Sequence, residues 1–303
     1  MTAIEATFLG TTASIPTKYR NHPAVYIKYR GKEESCVLFD CGEGTQRQIF
    51  TAGLNFMRLD NVFITHWHAD HFAGLLGLAG TMNLEGREKP LNVYGPEADK
   101  FVAVMSELGY WQQGFVIRGI DVPYKGTDIA KIHDDDEFEV LAAPAAHSIP
   151  AVAYALREKD RIKIDTEKAR DLGLPKQGVI YKQLKEKGSA TFRGRHIELS
   201  ELSVVEPGKC VVYTGDTLPS KIIVKLAMNC DLLIHDCTYL DDAEKTSRHS
   251  NIREAMEVAA EAHAKRLVLT HISRRYVDVS DVVEQLKAHP NVLLAKDFMT
   301  VTV

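Results

Sequence analysis

The stretch FITHWHADHFAG, residues 63–74, places His66, His68, Asp70 and His71 within six positions at the end of an apolar run. Each of these side chains costs free energy to bury unless it is paired. Imidazole nitrogen and carboxylate oxygen are also the donors that zinc favours. Val62, Phe63 and Ile64 read as a short buried strand. In extended chain His66 and His68 would share one side, while Asp70 and His71, after the turn, can be aimed at a second point. The pattern suggests two metal positions side by side. A metal pair about 3.5–4 Å apart needs a shared ligand and more donors than one segment holds.

Three further polar residues end apolar runs. His147 follows FEVLAAPAA, Asp216 ends CVVYTGD, where Gly215 permits a sharp turn, and His271 ends RLVLTH. Together with the first segment they repeat one device four times, a buried strand that delivers a ligand at its tip.

Those tips must be held by a scaffold. Ala3–Leu9, Ala24–Tyr29 and Cys36–Asp40 read as an initial antiparallel meander. Leu91–Tyr94, Phe138–Ala143, Val152–Leu156, Cys210–Tyr213, Asp231–Ile234, Arg266–Leu269 and Val292–Leu294 read as later strands. Helical periodicity is clearest in Asn251–His263, with Ile252, Ala255, Met256, Ala259 and Ala260 on one face. Glu97–Leu108, Ser220–Met228 and Ser280–Ala288 are further helices. Such alternation predicts a layered α/β arrangement. Residues 157–198 interrupt it with two short helical pieces, Thr166–Leu172 and Val179–Lys187, which read as an inserted helical arm. From Arg157 to Arg195 there are 12 Lys/Arg against 6 Asp/Glu, a local charge of +6 within a chain of net charge −4.

Composition bounds the remaining possibilities. The 303 residues are 45% apolar and 26% charged, ordinary for a soluble protein with a large core. No apolar run approaches the ~20 residues of a membrane span, and MTAIEATFLG lacks the features of a secretory signal. Five cysteines without a CxxC pair fit a reduced, cytoplasmic protein. The net negative charge argues against a protein that coats nucleic acid generally.

The order HxHxDH, then His, Asp and His, resembles the metallo-β-lactamase superfamily over most of the chain. Within it, PTKYRN (16–21), FDCGEGTQRQI (39–49), HSN (249–251) and THISRRY (270–276) resemble the motifs of the ribonuclease Z family, the tRNA 3′-processing endonucleases. The basic insertion sits where that family carries its exosite arm.

The resemblance implies a single four-layer αβ/βα sandwich spanning 1–303. It implies two Zn²⁺, one held by His66, His68 and His147, the other by Asp70, His71 and His271, with Asp216 bridging. It also implies a homodimer acting on precursor tRNA. Cleavage after the discriminator nucleotide would leave a 3′-OH on the tRNA and a 5′-phosphate on the trailer. Asp70 and His249 are the candidate catalytic residues. His249 lies before a helix N-terminus, where the dipole favours a phosphate, and would donate a proton to the departing 3′ oxygen. Lys18, Arg20, Asn21, Ser273 and Arg275 are candidate substrate contacts, an Arg fork suiting a phosphate.

Two departures stand out. Asn251 replaces the family's usual Thr, although Asn251 with Glu254 still forms a capping-box pair. The arm reads GLPKQG where the family's motif ends in Gly-Pro. A general metal-dependent phosphodiesterase, or another small-substrate hydrolase, would share fold and metals but has no need of His249, the PTKYRN loop or the basic arm. A non-catalytic RNA-binding protein would be expected to lose ligands. A flavin-linked diiron enzyme would resemble HxExD where this chain has HxHxD.

Overall fold

The computed structural model describes residues 2–108, 114–240 and 248–303. They form two compact units, a main one up to Arg157 and from Lys209 onward, and a second one, Glu158–Gly208.

In the main unit strands form two seven-stranded sheets. The first runs Thr300–Thr302, Ala3–Gly10, Ala24–Arg30, Glu34–Phe39, Leu59–Phe63, Leu91–Gly95, Ile117–Asp121. Its first four strands are antiparallel and the last three join in parallel. The second runs Val292–Leu294, Leu267–Thr270, Leu232–Asp236, Cys210–Tyr213, Val152–Glu158, Phe138–Pro144, Ala130–Asp134.

Side-chain alternation explains the layering. Val25, Ile27 and Tyr29 point one way and join Val152, Tyr154, Val211, Tyr213, Ile234 and Val268 in a core between the sheets. Ala24 and Tyr26 point the other way, into a second core with Ile49, Leu75, Leu78 and Val102 from the helices Thr45–Thr51, Leu75–Leu84 and Ala98–Glu107. Ala153, Val212, Leu233 and Leu269 meet Ile223, Ala255, Val258 and Leu286 from Lys221–Leu226, Ile252–Glu261 and Ser280–Leu286 in a third. Strands buried on both faces read as nearly continuous apolar runs. Three cores between four layers make an αβ/βα sandwich, the fold expected. Among the described residues no helix is long and apolar enough to cross a membrane.

Differences from the sequence reading have physical causes. Leu75–Leu84 buries Leu75, Leu78, Ala79 and Met82, yet Leu84 on its solvent side is also apolar, which blurs the stripe. Ile117–Asp121 and Ala130–Asp134 are edge strands, half buried and partly charged, with weak β signals. In Ile252–Glu261, Val258 rather than Ala260 completes the buried stripe. That helix opens on the expected capping box: Glu254 N donates to Asn251 Oδ1 at 2.9 Å, and Asn251 N donates to Glu254 Oε2 at 3.1 Å.

The second unit carries more strand than the helical arm expected. Arg161–Ile164 pairs with Ser203–Glu206, and Ser189–Phe192 with Arg195–Glu198. The helices Thr166–Asp171 and Val179–Lys187 lie between them in sequence, the latter closed by Gly188 in a left-handed conformation. Ala169, Leu174, Ile180, Leu184, Ala190, Ile197 and Leu202 form its own small core.

Candidate metal centre

The strand Leu59–Phe63 leads through Thr65 to His66 and His68, and a single turn, Ala69–Phe72, carries Asp70 and His71. Cys210–Tyr213, Leu232–Asp236 and Leu267–Thr270 are parallel neighbours. Their C-terminal ends therefore bring Asp216, Asp236 and His271 to one edge. Gly215 has a positive φ of 56°, and a Cβ there would lie 2.7 Å from the Thr65 side chain, so only glycine lets the two sheets meet at this point. His271 itself adopts a left-handed φ of 62°, a conformation that costs a non-glycine residue of order 1 kcal/mol.

The fold brings all seven expected donors together. His66 Nε2 and His147 Nε2 lie 3.0 and 3.2 Å from His68 Nδ1, and Asp216 Oδ2 is 3.6 Å from His66 Nε2. On the other side, His71 Nε2 and His271 Nε2 are 3.3 Å apart. Asp70 Oδ2 is 3.6 Å from each, and Asp216 Oδ1 is 3.3 and 3.2 Å from them. Three donor groups are each compact enough for one ion: His66–His68–His147–Asp216, Asp70–His71–His271, and Asp216–Asp236–His249–His271, the last of which overlaps the other two at Asp216 and His271.

A cation fits this arrangement. Asp216 Oδ1 is buried with no aligned hydrogen bond. His71 Nδ1 is bonded to Asp40 Oδ2 at 2.7 Å, which turns the lone pair of its Nε2 toward His271 and Asp216. Lone pairs at such spacing repel unless a proton or a cation stands between them. The charge balance agrees. Burial pushes His66 well down, whereas burial alone would lower His71 but Asp216 and Asp40 raise it. Burial opposes ionisation of Asp216, yet His271 and His71 hold its carboxyl well below the usual range. His271, against burial, is pushed up to about 10, chiefly by Asp216.

Two supporting carboxylates stand behind the donors. Asp40, fully buried, accepts hydrogen bonds from Thr65 N, Thr65 Oγ1, His71 Nδ1 and Tyr213 Oη. In the sequence it ends ESCVLFD and falls in the motif FDCGEGTQRQI, with no individual role assigned to it. Asp236 ends the strand Leu232–Asp236 beside the donors. It accepts from Thr238 N and Thr238 Oγ1 on one oxygen, and from Thr217 N and His249 Nδ1 (2.9 Å) on the other. With its lone pairs so engaged it supports the donors rather than joining them. Its neighbour His235 points into the helical layer.

His249 stands outside the seven donors, its side chain 14% exposed. Burial would lower it, but the Asp236 hydrogen bond outweighs that and raises it. With Ser14, His68, Asp70, His147 and Asp216 it lines a cavity of about 480 Å³. The Ser14 amide donates to Asp70 Oδ2 at 2.9 Å.

The expected phosphate contacts divide. Lys18 is exposed, its Nζ over the Tyr19 ring at 4.6 Å. Arg275 is exposed, 5.8 Å from the Tyr239 ring. Ser273 pairs with Ala13 in a two-residue ladder that ties the loop before Lys18 to the segment after His271. Arg20 has partners within the protein. Its guanidinium turns inward and donates to Thr11 Oγ1 and Ala295 O, both at 2.7 Å, beside the carboxylate of Asp297. Asn21 is likewise engaged, its Nδ2 donating to Glu43 O and its backbone N to Asp297 Oδ2. The motif PTKYRN thus anchors its own loop through Arg20 and Asn21 and leaves Lys18 as its outward cation.

The model of the β-lactamase superfamily domain matches residues 36–272. Ribonuclease Z of Archaeoglobus fulgidus is 43% identical over 98% of this chain and 97% of its own length. That of Methanothermobacter thermautotrophicus is 39% identical over 99% and 97%. The chain belongs to the ribonuclease Z family. It is an enzyme of the metal-dependent endoribonuclease class. Human tRNase Z, short form, superposes on it with a TM-score of 0.69 at 29% identity, covering 98% of both chains. YhfI of Bacillus subtilis, at 20% identity and a TM-score of 0.66, shares the fold.

Proposed function

We propose that this chain removes the 3′ trailer from precursor tRNA with two zinc ions. It would cut after the discriminator nucleotide and leave a 3′-OH on the tRNA and a 5′-phosphate on the trailer. His66, His68 and His147 would hold one ion and Asp70, His71 and His271 the other, with Asp216 near both sets. The observation that supports this reading is the clustering of seven donors, four of which, His68, Asp70, His147 and Asp216, line one cavity together with His249.

Bound there, the zinc pair neutralises charge on the phosphate and lowers the pKa of the attacking water toward ~7. The protein's own groups do the rest. Asp70 keeps one oxygen on the Ser14 amide, which fixes its carboxylate over the cavity and leaves it able to take a proton from the water. Water adds to phosphorus as the bond to the 3′ oxygen breaks. His249, held by Asp236 through Nδ1, delivers a proton to that oxygen through Nε2. Lys18, Arg275 and Ser273 contact the RNA backbone near the cut. The basic segment from Arg157 to Arg195 adds salt-dependent affinity for the tRNA body, which is read through shape and backbone. The working form is a cytoplasmic homodimer in which one subunit's arm serves the tRNA on the other.

Incubating the full chain and Zn²⁺ with a precursor tRNA bearing a 3′ trailer tests this. Both new ends would be mapped. Cleavage at another position, or a 3′-phosphate product, would overturn the proposal.

A further inference from the structure

Nδ1 of His66 and of His271 meets a threonine hydroxyl rather than a carboxylate. Thr65 Oγ1 is 3.0 Å from His66 Nδ1, and Thr238 Oγ1 is 2.8 Å from His271 Nδ1. Both threonines are buried and follow different strands, one in each sheet.

A hydroxyl has one proton to donate and two lone pairs. Thr65 Oγ1 directs its proton at Asp40, lying 3.0 and 2.9 Å from the two carboxylate oxygens. Thr238 Oγ1 directs its proton at Asp236 Oδ1, 2.8 Å away. Each hydroxyl can then only accept from the ring beside it. Nδ1 must carry the hydrogen, and the lone pair falls on Nε2, the atom that faces the metal centre. His71 reaches the same state directly, through Asp40 Oδ2, and Asp236 Oδ2 likewise takes the Nδ1 hydrogen of His249, whose Nε2 is left free to carry the proton it donates. Two buried carboxylates therefore each orient one histidine directly and a second through a threonine.

We infer that Thr65 and Thr238 are positioning residues, each setting the ring proton of one histidine and so the affinity of one ion. Thr65 serves the ion of His66, His68 and His147, and Thr238 the ion of Asp70, His71 and His271. The inference rests on the two-ion reading above. Thr238 uses Asp236 Oδ1 whereas His249 uses Oδ2, so loss of the Thr238 hydroxyl leaves the His249 anchor in place.

The test is zinc titration of the full chain against a chromophoric chelator. Thr65→Val, Thr238→Val, the double variant and the two Thr→Ser variants are compared with the parent. Each Val variant should bind one ion about 10- to 100-fold more weakly and the other as the parent does. The double variant should weaken both, and Ser should restore parental binding. A Val variant that does not fold is replaced by Ala, which also lacks the hydroxyl. Parental affinities in the Val variants, a double variant that weakens only one ion, or Ser behaving as Val would each overturn the inference. A parent protein that takes up fewer than two equivalents would overturn the two-ion reading itself, and the inference with it.

Discussion

Replacing His249 by alanine separates proton donation from metal binding. Its Nδ1 is bonded to Asp236 at 2.9 Å and lies 3.8 Å from Asp216 Oδ2, so the substitution removes no member of the seven-donor set. Asp236 Oδ2 keeps the Thr217 amide at 3.1 Å. The stability cost is thus one hydrogen bond to a charged acceptor, about 1.5–3 kcal/mol. Loss of a general acid costs a rate factor of about 10²–10⁴, or ~2.7–5.5 kcal/mol of barrier. The size of the loss should depend on the departing oxygen. A 3′ alkoxide needs a proton as it leaves, whereas 4-nitrophenolate leaves without one. Single-turnover rates of the variant should fall by that factor on precursor tRNA and by less than about tenfold on bis(4-nitrophenyl) phosphate. Zinc content should match the parent. Equal losses on the two substrates would refute proton donation, and loss of zinc would refute the placement of His249 outside the donor set.

Charge reversal of Lys176, Lys182 and Lys185 in the inserted unit should weaken cleavage of precursor tRNA while sparing the small phosphodiester. The slope of log affinity against log salt, measured by filter binding, should shrink by roughly one for each phosphate that is no longer neutralised. Arg20→Met removes two 2.7 Å hydrogen bonds and the positive charge beside Asp297, so denaturant unfolding should show a loss of about 3 kcal/mol rather than a selective defect in RNA binding. Burial pushes the Asp297 carboxyl above its usual range, against the hydrogen bond from Thr11. The folded state therefore holds that proton more tightly than the unfolded chain. This group's contribution to stability should fall as pH rises from the unfolded pKa through the folded one, and the fall should be steeper in Arg20→Met.

What the sequence determined by itself was local and chemical. The central strands of both sheets were legible because their residues are buried on both faces, whereas the edge strands Ile117–Asp121, Ala130–Asp134 and Thr300–Thr302, partly exposed, were not. The donors His66, His68, Asp70 and His71 were legible because six consecutive positions cannot separate them far in space. His147, Asp216 and His271 were legible as types at strand tips, since a polar residue ending an apolar run must meet something.

Only the tertiary structure decided who meets whom. Asp40 and Asp236 are strand-end acids in the sequence, and they become supports of the centre because Thr65 and Tyr213 reach Asp40 from 25 and 173 positions away, and Thr217 and His249 reach Asp236 from 19 and 13. Arg20 has the side chain of a phosphate clamp, but the fold sets Thr11, Ala295 and Asp297 within its reach and turns it inward. A charged or polar side chain carries several possible partners in its chemistry. Which of them it takes depends on atoms hundreds of residues away, and burial leaves no water to make the choice unimportant.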